Sequence, residues 1–523
     1  MQEAPTNTKT KISGIPLMRR LLPLVFLLSL VYGVAAQKQI DYQSDWGERK
    51  PSAPDQLILC RNVVFHHENM TMDCDSAVFH TEDNFIEAFG EIHLYQDTTH
   101  LYGDRVYYDG NTKTAEIFGE SVILQDGNVT LETDYMVWDR VAETVRYTNS
   151  AEIWDEESTL RSLMGTYHTG AKQFEFTDKV QITNPRANID SDSLSYNSKT
   201  DVAYFHSATR ILTSDSVLIL TDCGNYNTKT DQSELYLKSK VFHRAEYLTA
   251  DTIHYNTQTR CGKAFGNVFV EDTVNRLQAY GQYLEADSAE GLRYAFLTGR
   301  ALLKQIDDDT LHLHADTLRV DFDSVDKAEL MSAFRHVKVY RHDMQAACER
   351  LVYHVKDSIA YMTERPVLWQ EESQFTADTV RFRTDGKGVK QMHLYPNPLI
   401  IQDSDTATAE YFNQISGKYL IADFENNKIS YSQIDGNINI IYHVWEEKKG
   451  KPKQHTGINI GTCASLKMYF EKGKLRKMTA VQNPDFYIDD TERIDEKAKI
   501  LKGFIWLGGI RPQNPQDVFL HRD

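Results

Sequence analysis

Acidic side chains recur along this chain, and carboxylates at fixed positions are the groups with which glycosidases perform acid–base catalysis. Most follow one another after about 29 residues, each at the start of a segment rich in strand-forming residues. A catalytic pair needs two particular carboxylates, whereas an acid occurs in nearly every copy of this pattern. We therefore interpret the acidic column as a structural position, such as a strand start or a turn cap. Its members are Asp75, Asp104, Asp134, Asp192, Asp222, Asp251, Asp316, Glu349 and Asp378.

The other reactive side chains form no catalytic or metal-binding motif. His312 and His314 would share one face of a strand, but no third ligand is placed by spacing, so exposed histidines are the favoured interpretation. The six cysteines form no C-x-x-C pair, which is typical of isolated thiols. The sequence has no H-E-x-x-H, G-x-S-x-G or phosphate-binding glycine motif. We therefore predict a protein that is not an enzyme and that needs no metal or other cofactor.

The elements that carry these residues are strands arranged in repeats. An apolar residue stands two positions after most of the acids, a large residue stands four positions after, and the residues between are mostly polar. Since alternate residues of a strand point to one face, each copy is a half-buried strand. A second column, half a repeat away, is rich in residues that tolerate positive φ and suit a bend. Its members are Gly90, Gly119, Asn149, Asp178, Ser207, Ser239, Gly266, Gly299 and Arg335.

These columns predict an all-β fold in which one repeat, with two short strands and two turns, cannot bury its own apolar face. About a dozen copies then form an elongated stack of short antiparallel strands, as a β-solenoid or a curled, V-shaped sheet. We expect a cleaved signal peptide at residues 1–36 and a polar leader at 37–56. The repeat domain follows at 57–445, and a C-terminal extension at 446–523 holds a final strand pair and a tail.

The N-terminal sequence and the net charge indicate where the protein is located and which partners it can have. Basic residues precede an apolar stretch at residues 21–32, and small residues at 34–36 would allow cleavage before Gln37, as in a secretory signal. The formal net charge of −18 argues against nucleic acid as a partner, because a phosphate backbone requires a basic surface. The sequence therefore predicts an exported protein that binds no nucleic acid.

The large residues that follow the acids are the candidates for ligand binding. In a closed stack they fill the core, whereas in a sheet that curls without closing they line an apolar trough that suits lipid acyl chains. Both interpretations use the same residues, and the sequence leaves both open. The lipid-binding candidates are Phe79, Tyr108, Trp138, Tyr196, Tyr226, Tyr255, Tyr353 and Phe382.

Several copies resemble a known family. The segment A-D-x-φ-x-Y, where φ is an apolar residue, stands at residues 250–255, with related copies at 315–318 and 377–380. Copies of the following half repeat stand at 88–92 and 264–268. This recurrence, over residues 62–441, is similar to the OstA/LptA family of lipopolysaccharide-transport proteins. The resemblance implies a β-jellyroll, or β-taco, whose apolar groove shields the lipid A chains of lipopolysaccharide.

The same resemblance implies a function, partners and a location. The chain would be a non-catalytic bridge protein of outer-membrane assembly, located in the periplasm, with association to the outer membrane left open. Its partners would be lipopolysaccharide and other transport proteins, or further copies of itself, joined end to end through strand edges. The chain is longer than a typical single bridge protein. The alternative function is a structural or adhesive β-solenoid with a closed core and no lipid ligand.

Overall fold

The computed structural model describes residues 39–154, 157–288, 293–325, 327–385, 388–405, 410–446, 453–471 and 474–520. The chain divides into two units, Met1–Gln39 and Ile40–Asp523. Of the first unit only Gln39 is described, so the expected signal peptide lies outside the described residues. In the described part, no helix is long and apolar enough to cross a membrane.

The second unit consists of strands. The first fourteen are β1 (Asp41–Gln43), β2 (Trp46–Arg49), β3 (Gln56–His67), β4 (Met70–His80), β5 (Phe85–Gln96), β6 (Thr99–Asp109), β7 (Thr114–Asp126), β8 (Val129–Asp139), β9 (Thr144–Tyr147), β10 (Ala151–Trp154), β11 (Thr159–Ser162), β12 (Met164–His168), β13 (Gln173–Thr183) and β14 (Ala187–Asn197). The next fourteen are β15 (Val202–Phe205), β16 (Thr209–Thr213), β17 (Val217–Thr221), β18 (Cys223–Asn227), β19 (Gln232–Tyr236), β20 (Lys240–His243), β21 (Glu246–Thr249), β22 (Thr252–Asn256), β23 (Cys261–Asp272), β24 (Leu277–Asp287), β25 (Tyr294–Gln305), β26 (Leu311–Phe322), β27 (Ala328–Arg341) and β28 (Met344–His354). The last twelve are β29 (Ile359–Thr363), β30 (Val367–Gln370), β31 (Ser373–Thr376), β32 (Thr379–Thr384), β33 (Val389–Tyr395), β34 (Leu399–Asp403), β35 (Phe412–Ser416), β36 (Tyr419–Glu425), β37 (Lys428–Glu446), β38 (Gln454–Glu471), β39 (Lys474–Val481) and β40 (Asp485–Asp489).

The long strands bend near their middle, so that each contributes to two sheets. In β4, residues 70–74 pair with the neighbouring strands in one sheet, which we call sheet 1. Residues 76–80 pair with the same neighbours in another sheet, which we call sheet 2. Where the bend interrupts a strand, two short strands take the two halves, as β9 and β10 do beside β8. We call each bent strand or pair of half strands a rung, and antiparallel pairing continues from rung to rung in chain order.

Positive φ angles at the bends explain why glycine is common in the second column. Gly90, Asp178, Gly266 and Gly299 have φ of 78°, 68°, 72° and 76°. Such angles cost little for glycine and are tolerated by Asp and Asn. The predicted positive φ is confirmed at these positions and at Arg335. It falls on Ser150 instead of Asn149 and on the two residues before Ser239, and Gly119 and Ser207 do not have it.

The acidic column lies at the bends of the alternate rungs and caps the neighbouring bend. Asp104 Oδ2 accepts a hydrogen bond from the Glu120 backbone N–H (3.0 Å). Asp251 Oδ2 accepts one from Asn267 Nδ2 (2.7 Å), beside Gly266, where an added Cβ would lie 2.5 Å from that oxygen. Asp104 thus satisfies a backbone N–H that the bend leaves without a ladder partner, and Asp251 holds the side chain of the bend residue Asn267. Both contacts support the structural interpretation of the acids.

The inward side chains of both sheets form one hydrophobic cluster from Ile40 to Met468. Phe65 of sheet 1 meets Phe79 of sheet 2 edge to face, with ring centroids 5.9 Å apart. The predicted all-β stack of antiparallel strands is confirmed. The strands are longer than predicted because each rung crosses the bend and serves both sheets.

The chain after β40 forms short 3-10 helices at Thr491–Arg493, Glu496–Lys499, Gly508–Ile510 and Pro515–Phe519. This segment turns back over the outer face of sheet 1. Its Phe504 and Trp506 rings lie 5.5 and 5.0 Å from that of Phe412 in β35, and Phe519 lies 4.8 Å from His314 in β26. We call residues 499–520 the tail.

Candidate functional site

The interior between the two sheets is where the large residues of the sequence column converge. All eight lie on the inner face of sheet 2, toward the side opposite the bends, where the hairpin turns of the two sheets face each other. We call this side the mouth. Six of the candidates are at most 6 % exposed, namely Phe79, Tyr108, Trp138, Tyr196, Tyr226 and Phe382. Tyr255 and Tyr353 are half-buried. Lipid contact by these residues stays a prediction, and six of them fill the core in this structure.

Over residues 57–235, which we call the closed section, polar contacts join the sheets across the mouth. Arg140, in the turn after β8, donates from Nε to Gln96 Oε1 (2.8 Å) and from Nη2 to Asn69 Oδ1 (2.9 Å), both on sheet 1. It also donates to the Tyr108 hydroxyl (2.9 Å), which lies 2.6 Å from His67 Nδ1. Burial raises the pKa of Tyr108 to about 12, so this hydroxyl keeps its proton.

Asp126 makes the second cross-mouth contact. Its carboxylate lies 2.5 Å from Lys172 Nζ, which extends from sheet 2, and accepts a hydrogen bond from the Tyr167 hydroxyl (2.8 Å). Burial alone would raise the pKa of Asp126, but hydrogen bonds from Lys172, Tyr167 and Thr98 together lower it. The Asp126 side chain is only 1 % exposed, whereas the Lys172 side chain is 34 % exposed, so water reaches this ion pair from the lysine side only.

A third contact lies farther along the closed section. Arg186 Nε, from the sheet 1 turn, is 3.4 Å from Asp231 Oδ2, and its Nη1 donates to the Thr228 carbonyl oxygen (3.1 Å). The same Asp231 accepts from the Tyr226 hydroxyl (2.5 Å). These contacts sit in turns and lack the repeat period, which is why the sequence column does not reveal them. They hold the mouth of the closed section together over a filled core.

The interior changes after Tyr255. Before Tyr255, at least every second rung of sheet 2 places an aromatic ring in the column of large inward residues. Following the strand register from Tyr255, the column continues with Gly262, Ala286, Ala295 and Val320. Large side chains are therefore replaced by small ones on four successive rungs.

Where the column is small, the inner surface is open to solvent. The residues near the bend stay buried, as Ala264, Ala301 and Ala315 show. The residues nearer the mouth are half-buried on sheet 1 as far as Leu313 and on sheet 2 as far as Leu351, whereas on sheet 1 the core closes again at Val339, Met344 and Ala346, which are at most 8 % exposed. The half-buried residues are Val241, Leu248, Val270, Ala279, Leu284, Ala286, Ala295, Leu303, Leu313, Val320 and Leu351. The stretch 241–361, which we call the open section, is thus an apolar trough with its base at the bends. The cross-mouth contacts described above lie before this section, and at its start Arg260 Nε lies 4.0 Å from Asp215 Oδ2 across the mouth.

Aromatic pairs on the outer faces support the open section. On sheet 2, Phe265, Tyr283 and Phe296 follow one another with ring centroids 5.2 and 5.8 Å apart. On sheet 1, the Phe269 ring lies 5.9 Å from Tyr247 and 5.0 Å from Tyr280. Such pairs contribute about 0.5–1.5 kcal/mol each beyond their area burial. They stabilise each sheet from outside, where the small inward residues provide less packing.

Beyond the open section the sheets meet again around a small cavity. Its volume is about 320 Å³, and both sheets line it, with Ile400 and Ile415 on one side and Met468 and Met478 on the other. The mouth is bridged here as well, since Gln370 Nε2 donates to the Asn427 carbonyl oxygen (2.9 Å). We call residues 362–468 the C-terminal section.

The remaining predicted positions do not join a site. His314 is buried beneath Phe519, and His312 is half-buried with its Nδ1 3.2 Å from the Thr310 carbonyl oxygen, so the prediction that both histidines are exposed is wrong. Among the described residues, no group of three or more His, Cys, Asp or Glu side chains is placed to hold a metal ion. All six cysteines are free thiols. The interior between the described strands offers mainly apolar contact.

Comparison with known proteins adds a family over part of the chain. Residues 42–192 match the family model of OstA-like proteins. Among solved structures, the chain is similar to LptH, described as the LptA homologous periplasmic component of the conserved lipopolysaccharide transport device from Pseudomonas aeruginosa. The identity is 12 %, the match covers 31 % of this chain and 78 % of LptH, and the TM-score is 0.12. No curated protein matches this chain. Residues 42–192, which span the first rungs of the stack, are thus similar to OstA-like proteins.

Proposed function

We propose that this chain is a non-catalytic lipid-binding bridge or carrier of lipopolysaccharide transport, and that the open section shelters the acyl chains. The observation that most supports this proposal is the difference in burial between two parts of one continuous core. Inward apolar residues such as Leu284 and Leu303 are half-buried in the open section, whereas their counterparts in the closed section are buried.

The dimensions and chemistry of the trough support this proposal. Inner residues are half-buried on both sheets over about six rungs, from β20 to β26, and rungs lie about 4.8 Å apart, so the trough is roughly 25 Å long. One leaflet of a bilayer is about 15 Å of hydrocarbon, so acyl chains could lie along the trough. Each buried methylene contributes about 0.8 kcal/mol, which offsets the loss of freedom on binding. The net charge of −18 means that an anionic headgroup must remain outside, in water.

Both ends of the stack offer strand edges to a partner. Among the described residues, β1 and β2 pair with β3 on one side only, and β39 and β40 likewise with β38. Large apolar side chains are exposed at both ends, with Trp46 46 % and Ile488 66 % exposed. Free edges of this kind accept a further strand, which supports end-to-end association with another transport protein or a second copy. The signal-like N-terminus and the OstA-like domain together support a periplasmic location.

The closed section favours a second role within the same molecule. Its filled core and bridged mouth leave no room for a ligand without displacing packed side chains, as expected for a structural solenoid. We infer that the closed section serves as a spacer. If the open section were also closed in solution, the whole molecule would be a structural scaffold.

Filling the trough tests the proposal. Ala279→Trp and Ala286→Trp place indole rings on the two half-buried inner faces, whereas Ala171→Trp adds the same ring at an exposed turn as a control. We expect the first two variants to lose binding of a fluorescent acyl probe, and the control to bind as the unmodified chain does. Purified lipopolysaccharide should displace the probe. Equal binding by all three variants would reject the open section as the lipid site.

A further inference from the structure

The outer face of sheet 1 is built to be covered near the C-terminus. Trp369, Ile401 and Ile441 on this face are at most 1 % exposed. On the same face of the closed section, Gln181 and Arg210 are exposed. Along one row of the covered face, glutamine alternates with an apolar residue on successive rungs, in the order Gln345, Trp369, Gln374, Ile401, Gln414 and Ile441.

Two of the glutamines bind the tail backbone as a neighbouring strand would. Gln374 Nε2 donates to the Ile505 carbonyl oxygen (2.7 Å), and its Oε1 accepts from the Leu507 backbone N–H (2.7 Å). Gln414 makes the same pair with the Lys499 carbonyl oxygen (2.9 Å) and the Leu501 N–H (2.8 Å). The bound tail positions repeat after six residues while the glutamines lie two rungs, about 9.6 Å, apart. The turns of the tail are thus matched to the spacing of the rungs.

The tail then continues toward the open section. Arg511 Nε donates to Gln345 Oε1 (2.8 Å), and Nη1 of the same residue donates to the Glu371 carbonyl oxygen (2.7 Å). Farther on, the Phe519 ring lies between His314 (4.8 Å) and the Arg300 guanidinium (4.7 Å). His314 belongs to β26, whose inner face lines the trough. The tail therefore connects the outside of the open section to the C-terminal section, where Gln370 bridges the mouth.

We propose that the tail is a strap that fixes sheet 1 of the open section to the C-terminal section and so sets the width of the mouth. Small inward residues hold the two sheets together weakly in the open section, so a support on the outer face decides their separation. Each glutamine pair satisfies two tail backbone groups, and losing one leaves both without a partner. The consequence for ligand access rests on the proposed function, whereas the effect on mouth width does not.

A distance measurement across the mouth tests the strap without any ligand. Spin labels at His342→Cys and Lys356→Cys sit in exposed turns at the two ends of β28, one on each sheet. The three partly exposed native thiols, Cys60, Cys223 and Cys261, are replaced by serine to keep the labelling specific.

The full chain carrying Gln374→Leu, Gln414→Leu and Arg511→Ala is compared with the matched control Gln181→Leu. Faster hydrogen exchange at the Leu501 and Leu507 amides shows that the tail has been released. We expect the released variant to give a broader and longer label distance, and the control to match the unmodified chain. The strap proposal is wrong if the tail is released and the label distance does not change. It is also wrong if amide exchange in the tail does not change after all three side chains are replaced. Acyl-probe binding by the unmodified chain is measured separately, so failure of the lipid-binding proposal is distinguishable from failure of the strap.

Discussion

We predict that truncating a large apolar side chain to alanine costs more stability in the closed section, at Phe174, than in the open section, at Leu284. The Phe174 ring is 1 % exposed and lies 4.2 Å from Tyr167 and 5.4 Å from Phe176, measured between centroids. Removing such a ring costs about 3–5 kcal/mol, because the cavity left behind cannot collapse fully. Leu284 is half-buried at the trough. Since a fully buried Leu→Ala costs about 2–5 kcal/mol, roughly half of that, about 1–2 kcal/mol, is expected there.

Native-state hydrogen exchange measures these costs locally, which matters because a stack of repeats need not unfold as one unit. Amide exchange in β13 and β14 should report the loss of local stability in Phe174→Ala. Amide exchange in β24 and β25 should report the loss in Leu284→Ala. Leu284→Ala should also weaken acyl-probe binding roughly five- to tenfold, or about 1 kcal/mol, since it removes part of the contact surface. If Leu284→Ala destabilises its rungs as much as Phe174→Ala does and leaves probe binding unchanged, Leu284 is core and the trough is wrong.

Three further outcomes follow from the contacts at the mouth, the tail and the bend. Asp126→Asn should lower the local stability of β7 and β8 by about 2–4 kcal/mol at neutral pH, because Lys172 loses its buried partner. Since the native pKa of Asp126 is lowered below its ordinary value of 3.8, this difference should begin to shrink only below about pH 4 and should vanish below the lowered native pKa. A difference that persists after Asp126 is protonated would contradict the ion pair. Burial, then the nearby His455, lowers the pKa of His443 to about 4, so stability near β37 and β38 should fall as the pH drops from 6.5 toward 4. His443→Gln should flatten that part of the exchange profile, by at most about 3 kcal/mol, and an unchanged slope would assign it to other groups. Gly266→Val should cost about 1–3 kcal/mol through its φ of 72° and its contact with Asp251, seen as faster exchange in β22 and β23, whereas no change would mean that the bend adapts.

The bends could be predicted from the sequence because they are local backbone requirements. A positive φ restricts the residue type wherever it occurs, so Gly90 and Gly266 recur in register. The acids recur for the same reason, since each bend exposes backbone groups that need a partner. The two columns therefore predicted the repeat and the antiparallel stack.

The aromatic column could be found in the sequence, but its exposure could not. Burial of Tyr226 or Tyr255 depends on what the facing sheet places opposite, and that sheet comes from other parts of each rung. The replacement of large side chains by Gly262, Ala286 and Ala295 is apparent only when the strand register aligns the rungs.

The cross-mouth contacts and the strap had no sequence signal of their own. Arg140 and Lys172 lie in turns, where polar residues are common for many reasons. The alternation of glutamine with apolar residues runs across strands, so Gln345, Gln374 and Gln414 stand at irregular intervals along the chain. Such features depend on tertiary register and are visible only in the structure.

Photocrosslinking in cells tests the location of the lipid most directly. The probe amino acid p-benzoylphenylalanine is introduced at Val320, which is half-buried in the open section, and in a second strain at Phe174, which is buried in the closed section. We predict an adduct with lipopolysaccharide from position 320 and none from position 174. Adducts from position 174 alone, or none from either position, would contradict an open lipid-binding section after Tyr255.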